Sequence, residues 1–405
     1  MIIDNGLINV AVFFGGDSVE HEVSIISAVQ AMTHLNRDKY NVIPIYLAKN
    51  GVMYTSNAMF EINSFRNMKE LLAKSRAVNI FNNGQSVILK TDKKNDFSGR
   101  KPIKLDVALP IVHGTNCEDG SLQGYFETLR LPYAGCDVLA SSVGMDKAIF
   151  KSVLRTAGIP VLDCIRFSAR DFTEFSNTIL HRIETAIGYP LIVKPVNLGS
   201  SIGISKVSSA DDLKSAIDNA FMYSDSVLVE KAIKNLREIN CSVLGDENEC
   251  VASPCEEPFG SDEIISYEDK YTNSSKTKGM ASLKRKIPAD IPDSVTESIR
   301  EFACRTFKAI GGHGVVRIDF LMDNQSKEVF VNEINTIPGS LAFYLWAVGG
   351  MKYTELLDKL ISLAFSRQRK KENLHFEIDT NILSQCGSFG AKGSKVRVAS
   401  AFLFI

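Results

Sequence analysis

No stretch of this 405-residue sequence is apolar for long enough to cross a bilayer. The N-terminus, MIIDNGLINVAVFFGG, lacks the basic start and small-residue cleavage site of a secretory signal, so a cytoplasmic protein is expected. Charge of one sign is not in excess either. With 46 Lys+Arg against 47 Asp+Glu the net charge is −1, which gives no reason to expect nucleic acid or an anionic membrane as partner. The eight cysteines include no CxxC pair. Their scatter argues for reduced thiols in a cytosol rather than a disulfide framework. The closest pair, in CVASPC, has no second ligand pair beside it, so no zinc site is expected there. A GxxxxGK[ST] phosphate loop is missing. GGDSVE follows a strand pattern but lacks the third glycine of GxGxxG, which argues against an NAD-dependent oxidoreductase.

What is present is enough apolar residue, 45%, to fill sizeable cores, and enough length for about two to four domains. INVAVFFGG is a short apolar run closed by two glycines and reads as a buried parallel strand. After it, Val19, Val23 and Ile26 recur at helical spacing, so a helix is expected, capped near Asp17 or Ser18. YNVIPIYLA reads as a second strand, and strand–helix–strand opens an α/β sheet. KLDVALPIVHG is another strand, ending at His113. Gly15–Gly16 and His113–Gly114 thus sit at the carboxyl ends of strands, where open α/β sheets bind ligands. Residues 56–104 are polar and irregular and yield no element. A helix is expected from Asp146 to Ala157, after which the composition shifts to strands, a Gly/Ser loop and a helix over SVTESIREFACRTFKAI. From about Gln368 the pattern breaks down, and 367–405 reads as a flexible tail with no core of its own.

Three stretches bear on chemistry. GVVRIDFLM, a turn and EVFVNEIN form a hairpin. With the turn near Ser326, Asp319 faces Glu333 and Arg317 faces Asn335, all four on one face because both strands alternate with period two. This reads either as an exposed charged ladder or as a set of hard oxygen ligands of the kind Mg²⁺ takes beside phosphates. KPVNLGSSIGISK puts Gly199, Ser200, Ser201 and Gly203 after Lys194: a flexible turn, or a nest of backbone N–H groups for an anion. Glu268–Lys286 carries six basic residues and reads as a solvated loop or an active-site lid. Taken together, the three point to a triphosphate with Mg²⁺.

Eight motifs in order carry a resemblance: VAVFFGGDSVEHEVS, HGTNCEDGSLQGYFE, PYAGCDVLASSVGMDKAIFK, PLIVKPVNLGSSIGISKV, VLVEKAI, YEDKYTNSSK, VVRIDF and VNEINTIPG. The chain resembles the D-alanine–D-alanine ligases of the ATP-grasp superfamily over residues 9 to about 366. That resemblance implies an α/β fold, α+β in its ATP-binding part: a Rossmann-like substrate domain with an open parallel sheet (1–145), a central ATP-grasp subdomain (146–234), a catalytic subdomain (235–366) and the tail (367–405). Lys147, Lys194, Ser200, Ser201 and Lys270 match phosphate contacts. Glu230, Lys231 and Ile233 match the adenine hinge, and Glu238 the ribose contact. Asp319, Glu333 and Asn335 match the ligands of two Mg²⁺ ions, with Mn²⁺ an alternative. Arg317 and the Gly339 N–H match the oxyanion donors, with Pro338 holding the backbone. Glu20 matches the anchor of the first D-alanine's ammonium, and Ser200 and Tyr271 its partners in closing the lid. His113 faces the second substrate.

The implied reaction joins D-alanine to a second D-amino acid through an acyl phosphate and a tetrahedral intermediate, in a homodimer. SLAFYLW departs from the family's Ser/Thr/His-rich segment, and Tyr344 stands where a serine binds the second substrate's carboxylate. The acceptor is therefore open between D-alanine and D-serine, while a D-lactate acceptor is disfavoured by Tyr271. A nucleotide-binding regulator without turnover is a further alternative, disfavoured by the retained Arg317, Asp319, Glu333 and Asn335.

Overall fold

The computed structural model describes residues 6–91, 102–258 and 285–375. Lys270 and Tyr271, the lid expected around them up to Lys284, and residues 376–405 of the expected tail lie outside the described residues.

The first unit is a seven-stranded sheet. In chain order its strands are β1 (Ile8–Gly15), β2 (Tyr40–Leu47), β3 (Met53–Thr55), β4 (Arg76–Asn82), β5 (Val87–Thr91), β6 (Ile103–Leu105) and β7 (Val107–Val112). They are arranged β6-β5-β4-β3-β2-β1-β7. β1 pairs in parallel with β2 and β7 and is buried from Asn9 to Gly15, which is why its sequence is a continuous apolar run. β3 to β6 extend the sheet antiparallel, through the region that yielded no element. In β4 only Val78 and Ile80 are buried while Phe81 is exposed, so the period-two signal breaks after one repeat.

The helix expected after β1 spans His21–His34, with Glu20 at its N-cap and no side-chain cap. The expected cap at Asp17 or Ser18 is thus two or three residues early, and Val19 is exposed rather than on the buried face. His21 accounts for the delay. Its Nδ1–H donates to the Gly16 carbonyl (2.6 Å) and its Nε2 accepts from the Tyr46 hydroxyl (2.9 Å), which bends residues 16–20 into a turn.

The second unit contains β8 (Cys164–Ser168), β9 (Leu191–Pro195), β10 (Ser205–Val207) and β11 (Ser226–Lys231) in the antiparallel order β10-β9-β11-β8. The third holds β12 (Leu236–Gly245), β13 (Cys250–Ala252), a small pair of β14 (Glu257–Pro258) with β15 (Arg285–Lys286), then β16 (Gly314–Asp323) and β17 (Val329–Asn335). Its main sheet runs β13-β12-β16-β17. The β16–β17 register is Arg317↔Asn335 and Asp319↔Glu333, as the alternation predicts, with a bulge after Asp319. Ile318, Phe320, Val331 and Ile334 pack on the opposite face into the core of this unit; Val315 instead joins the core of the first.

The helix Tyr353–Glu372 corrects the expected start of the tail. It runs past residue 367, and Arg367 donates to the carbonyls of Gly135 (2.7 Å) and Tyr133 (2.6 Å). Its Leu356, Leu357 and Leu360 are buried against the first sheet, each contributing about 1.5–3 kcal/mol. The first core therefore draws on both ends of the described chain. The seven described cysteines are all free thiols.

Candidate active site

The polar face of β16–β17 opens into a cleft of about 270 Å³ between the second and third units. Of the expected nucleotide and metal residues, Lys147, Lys194, Ser201, Glu230, Lys231, Ile233, Glu238, Asp319 and Glu333 line it. β17 is the edge strand of its sheet, yet the cleft covers its polar face, which disposes of the exposed-ladder reading. Arg317 donates to both oxygens of Asp319 (Nε at 2.7 Å, Nη2 at 2.8 Å), and Asn335 Nδ2 donates to Asp319 at 3.2 Å. Lys147 Nζ lies 3.0 Å from Glu333 Oε2. Two carboxylates and an amide oxygen source converge here, a donor set suited to a hard cation whose remaining ligands are phosphate and water. Among the described residues no cluster of three or more His, Cys, Asp or Glu offers a rival site.

The lysines form a buried charge cluster that is partly new. Lys194, from β9, donates to Glu230 of β11 and to Asn332 Oδ1 (3.0 Å). Lys151 Nζ, fully buried, lies 2.8 Å from Glu230 Oε2. Lys151 was not singled out in the sequence, although it is one helical turn beyond Lys147 and so on the same helix face. Burial by itself would push the Glu230 carboxyl up; Lys151 and Lys194 outweigh it and hold it at about 2. The stabilisation from this pairing is complete above the ordinary carboxyl value and is lost as pH falls towards 2. Burial lowers the Lys194 ammonium, with Lys151 and Lys147 adding to the effect. Two ammoniums on one carboxylate leave a surplus positive charge in the cleft. Lys231 instead turns its ammonium to the Tyr189 carbonyl (2.9 Å), leaving its stem and backbone to the cleft wall.

Glu20 and Ser200 meet across the two units, the Ser200 hydroxyl donating to Glu20 Oε1. Gly114, with φ of +77°, sits close against this pair, and Gly199 leaves only contact distance to it. A Cβ at Gly114 would lie 3.2 Å from Glu20 Oε2, and one at Gly199 3.4 Å from it. A narrow cavity of about 30 Å³ joins Glu20 to Glu118, Lys147, Glu333 and Asn335, so the expected first-substrate anchor opens onto the expected metal residues.

After Asn335 the chain turns sharply. Ser340, Leu341 and Ala342 have φ of 50°, 54° and 50°, three successive non-glycine residues in the left-handed region, at about 1–2 kcal/mol each. Such strain persists only where the surroundings over-determine it. Leu341 and Ala342 are buried. Gly339, at the head of this turn, has no partner for its N–H among the described residues. His113 is buried, and its Nδ1–H donates to the Ile337 carbonyl (2.8 Å); burial lowers its pKa. Glu118, not singled out in the sequence, is buried beside it, and burial pushes its carboxyl up to about 7, with Glu20 adding to the rise. Its position five residues after His113 in HGTNCED was the available signal.

Tyr344 is placed differently from expectation. Its hydroxyl donates to Glu256 (3.0 Å) and its ring lies under the Arg285 guanidinium, 4.0 Å from the centroid. Arg285 in turn pairs with Glu256 at 3.0 Å. A substrate carboxylate would have to displace another carboxylate to claim this hydroxyl. The Tyr344 hydroxyl is therefore not a free donor.

Sequence profiles described as the D-ala D-ala ligase N-terminus and C-terminus match residues 9–136 and 153–362. The D-alanine--D-alanine ligase of Thermosipho africanus is 39% identical over 376 residues, covering 93% of this chain and 98% of that protein. Among solved structures, the D-alanine-D-alanine ligase from Coxiella burnetii superposes with a TM-score of 0.75 at 31% identity, covering 90% of this chain and 96% of that one. The VanG D-Ala:D-Ser ligase from Enterococcus faecalis superposes with a TM-score of 0.73 at 31% identity, covering 88% and 99%.

Proposed function

The chain belongs to the D-alanine–D-alanine ligase family, and from that premise we propose that it is an ATP- and divalent-metal-dependent ligase joining two D-alanines for cell-wall precursor synthesis in the cytoplasm. The observation that carries the reading at the level of residues is the hairpin β16–β17, which pairs Arg317 with Asn335 and Asp319 with Glu333 and turns Asp319 and Glu333 into the cleft. No helix among the described residues is long and apolar enough to cross a membrane. A homodimer belongs to the same proposal.

ATP lies in the cleft with its base against Glu230, Lys231 and Ile233 and its ribose at Glu238. Lys147, Lys194 and the Ser200–Ser201 loop receive the phosphates, with Lys270 and Tyr271 beyond the described residues completing that side. Asp319, Glu333 and Asn335 hold the magnesium, as two ions, which offsets the charge crowding between nucleotide and carboxylate. Glu20 anchors the first ammonium. The first carboxylate attacks the γ-phosphate and ADP leaves; the second amino acid's free amine then attacks the acyl phosphate carbonyl, and the tetrahedral intermediate collapses with loss of the amine proton and expulsion of inorganic phosphate. Arg317 and the Gly339 N–H receive the developing oxyanion. The acceptor enters between His113 and Tyr344. The equal likeness to a D-Ala:D-Ser ligase, with SLAFYLW in the wall of that pocket, favours D-serine as the second reading. Phosphate release from ATP with a panel of D- and L-amino acids, products identified by mass, tests both. Release with no ligated product from any pair would overturn the ligase reading.

Two variants test the cleft. Lys151→Met removes the surplus positive charge without touching a ligand position, and KM for ATP is expected to rise about tenfold or more, a loss of roughly 1.4 kcal/mol or greater. KM for D-alanine stays within about threefold. Kinetics with each substrate varied separately checks this; parallel rises in both constants would make Lys151 a purely structural residue. Tyr344→Phe deletes a buried hydrogen bond to a charged acceptor and is expected to destabilise the fold by about 1.5–3 kcal/mol. With that hydroxyl committed to Glu256, the acceptor KM moves little. A tenfold rise in it at unchanged stability would instead make Tyr344 a carboxylate ligand.

A further inference from the structure

The peptide between Thr336 and Pro338 is held from both sides by one loop of the first unit. Glu118 Oε1 accepts the Ile337 N–H (2.7 Å) and the Thr336 hydroxyl (3.3 Å). His113 Nδ1–H donates to the carbonyl of the same Ile337 (2.8 Å). The loop is closed on itself: Glu118 N–H donates to the Gly114 carbonyl (2.8 Å), and Gly114 N–H to Glu118 Oε2 (3.2 Å). On the other side of Gly339, the Ser340 N–H donates to Ser27 Oγ (2.9 Å) and the Ser340 hydroxyl to Gln30 Oε1 (2.6 Å), both on the helix His21–His34. The two residues that flank Pro338–Gly339 are thus fixed by the first unit, and the left-handed turn that follows has its over-determining partners there.

We propose that Glu118 is a positioning residue for acyl transfer: by holding the Ile337 peptide together with His113, it aims the Gly339 N–H at the reacting carbonyl. This rests on Gly339 being an oxyanion donor. Glu118 acts through Ile337, because both of its side-chain oxygens are taken by donors of the protein itself. A buried carboxylate serves here because it can take two donors of the 336–337 segment on one oxygen and close its own loop with the other. Nothing on β16 or β17 replaces it, since both hydrogen-bonding groups of Ile337 point to the first unit.

The role predicts a split between the two half-reactions. Formation of the acyl phosphate does not require the oxyanion donors of the tetrahedral intermediate, whereas amine attack does. The full chain with Mg²⁺, D-alanine and ATP labelled with ¹⁸O in the β–γ bridge reports both. Scrambling of the label measures reversible acyl phosphate formation, and dipeptide measures acyl transfer. Glu118→Ala is expected to lower dipeptide formation about a hundredfold, as loss of an aimed oxyanion donor does, with scrambling within about threefold. Glu118→Gln, which keeps an oxygen at the Ile337 N–H, retains dipeptide formation within about tenfold. If Glu118→Ala does not fold, Glu118→Asp, one methylene short of that N–H, carries the same split. Loss of scrambling and dipeptide alike, or retention of both, would overturn the proposal. A wild-type protein that shows neither would overturn the ligase reading, and this role with it.

Discussion

Glu333→Gln is expected to lower turnover about a thousandfold or more while leaving the fold intact, because the proposed function makes Glu333 a charged ligand of a catalytic Mg²⁺. Glu333 stands opposite Asp319 in the β16–β17 ladder, on the face lined by the cleft. Glutamine has nearly the same shape, and the ladder is made by backbone groups, so the sheet has no reason to change. What changes is charge. Glu333 balances Lys147, 3.0 Å away, and its neutral replacement leaves that ammonium without a carboxylate, on the Leu198 carbonyl alone, as well as weakening the proposed metal site. The two effects oppose one another for nucleotide affinity: a lysine without its carboxylate attracts phosphate, while lost metal repels it. KM for ATP is accordingly a poor readout and kcat the decisive one. Measured kcat within a few-fold of wild type, with an unchanged melting temperature, would remove Glu333 from the metal site.

The residues of this hairpin were legible because period-two alternation on two adjacent strands fixes both faces and register at once. The turn near Ser326 set Asp319 opposite Glu333, and the structure has that pairing. The Gly/Ser loop was legible in the same local way. Glu118, Lys151 and the Tyr344–Glu256–Arg285 cluster were not. Each depends on partners far apart in the chain: Glu118 on Ile337, Lys151 on Glu230, Tyr344 on Glu256. A lone buried charge has no periodic signature; it is defined by what neutralises it. Tyr344 shows the limit from the other direction. Its alignment with a carboxylate-binding serine is a statement about backbone position, while the direction of its hydroxyl is decided by Glu256, just before β14, and Arg285 of β15. The first sheet was legible only where it is parallel and buried on both faces. Its antiparallel half has between none and three buried residues per strand, and the C-terminal helix that completes its core lies more than two hundred residues downstream.

Arg317→Lys is the more discriminating of the large-effect variants, because it keeps the charge and removes the geometry. Arg317 is largely buried and uses Nε and Nη2 on the two oxygens of Asp319, at 2.7 and 2.8 Å. Nη1 has no hydrogen-bond partner among the described residues, so the fork that grips Asp319 also fixes the direction of one remaining N–H edge. A guanidinium is planar and divides its donors in this way; an ammonium is a point charge on a flexible stem and does not. Lysine at this position can pair with Asp319 or reach toward the oxyanion, and the carboxylate wins because its full charge is present before any reaction begins. Loss of one aimed oxyanion donor costs about a hundredfold to a thousandfold in kcat. Arg317→Lys is therefore expected to lower kcat by about that factor, with KM for ATP and for the first D-alanine within a few-fold, since neither is bound through Nη1. The melting temperature should fall only slightly, because Asp319 keeps a cation. Retention of more than a tenth of wild-type kcat would show that charge alone suffices at this position, and the oxyanion would then have to be held by the Gly339 N–H without Arg317.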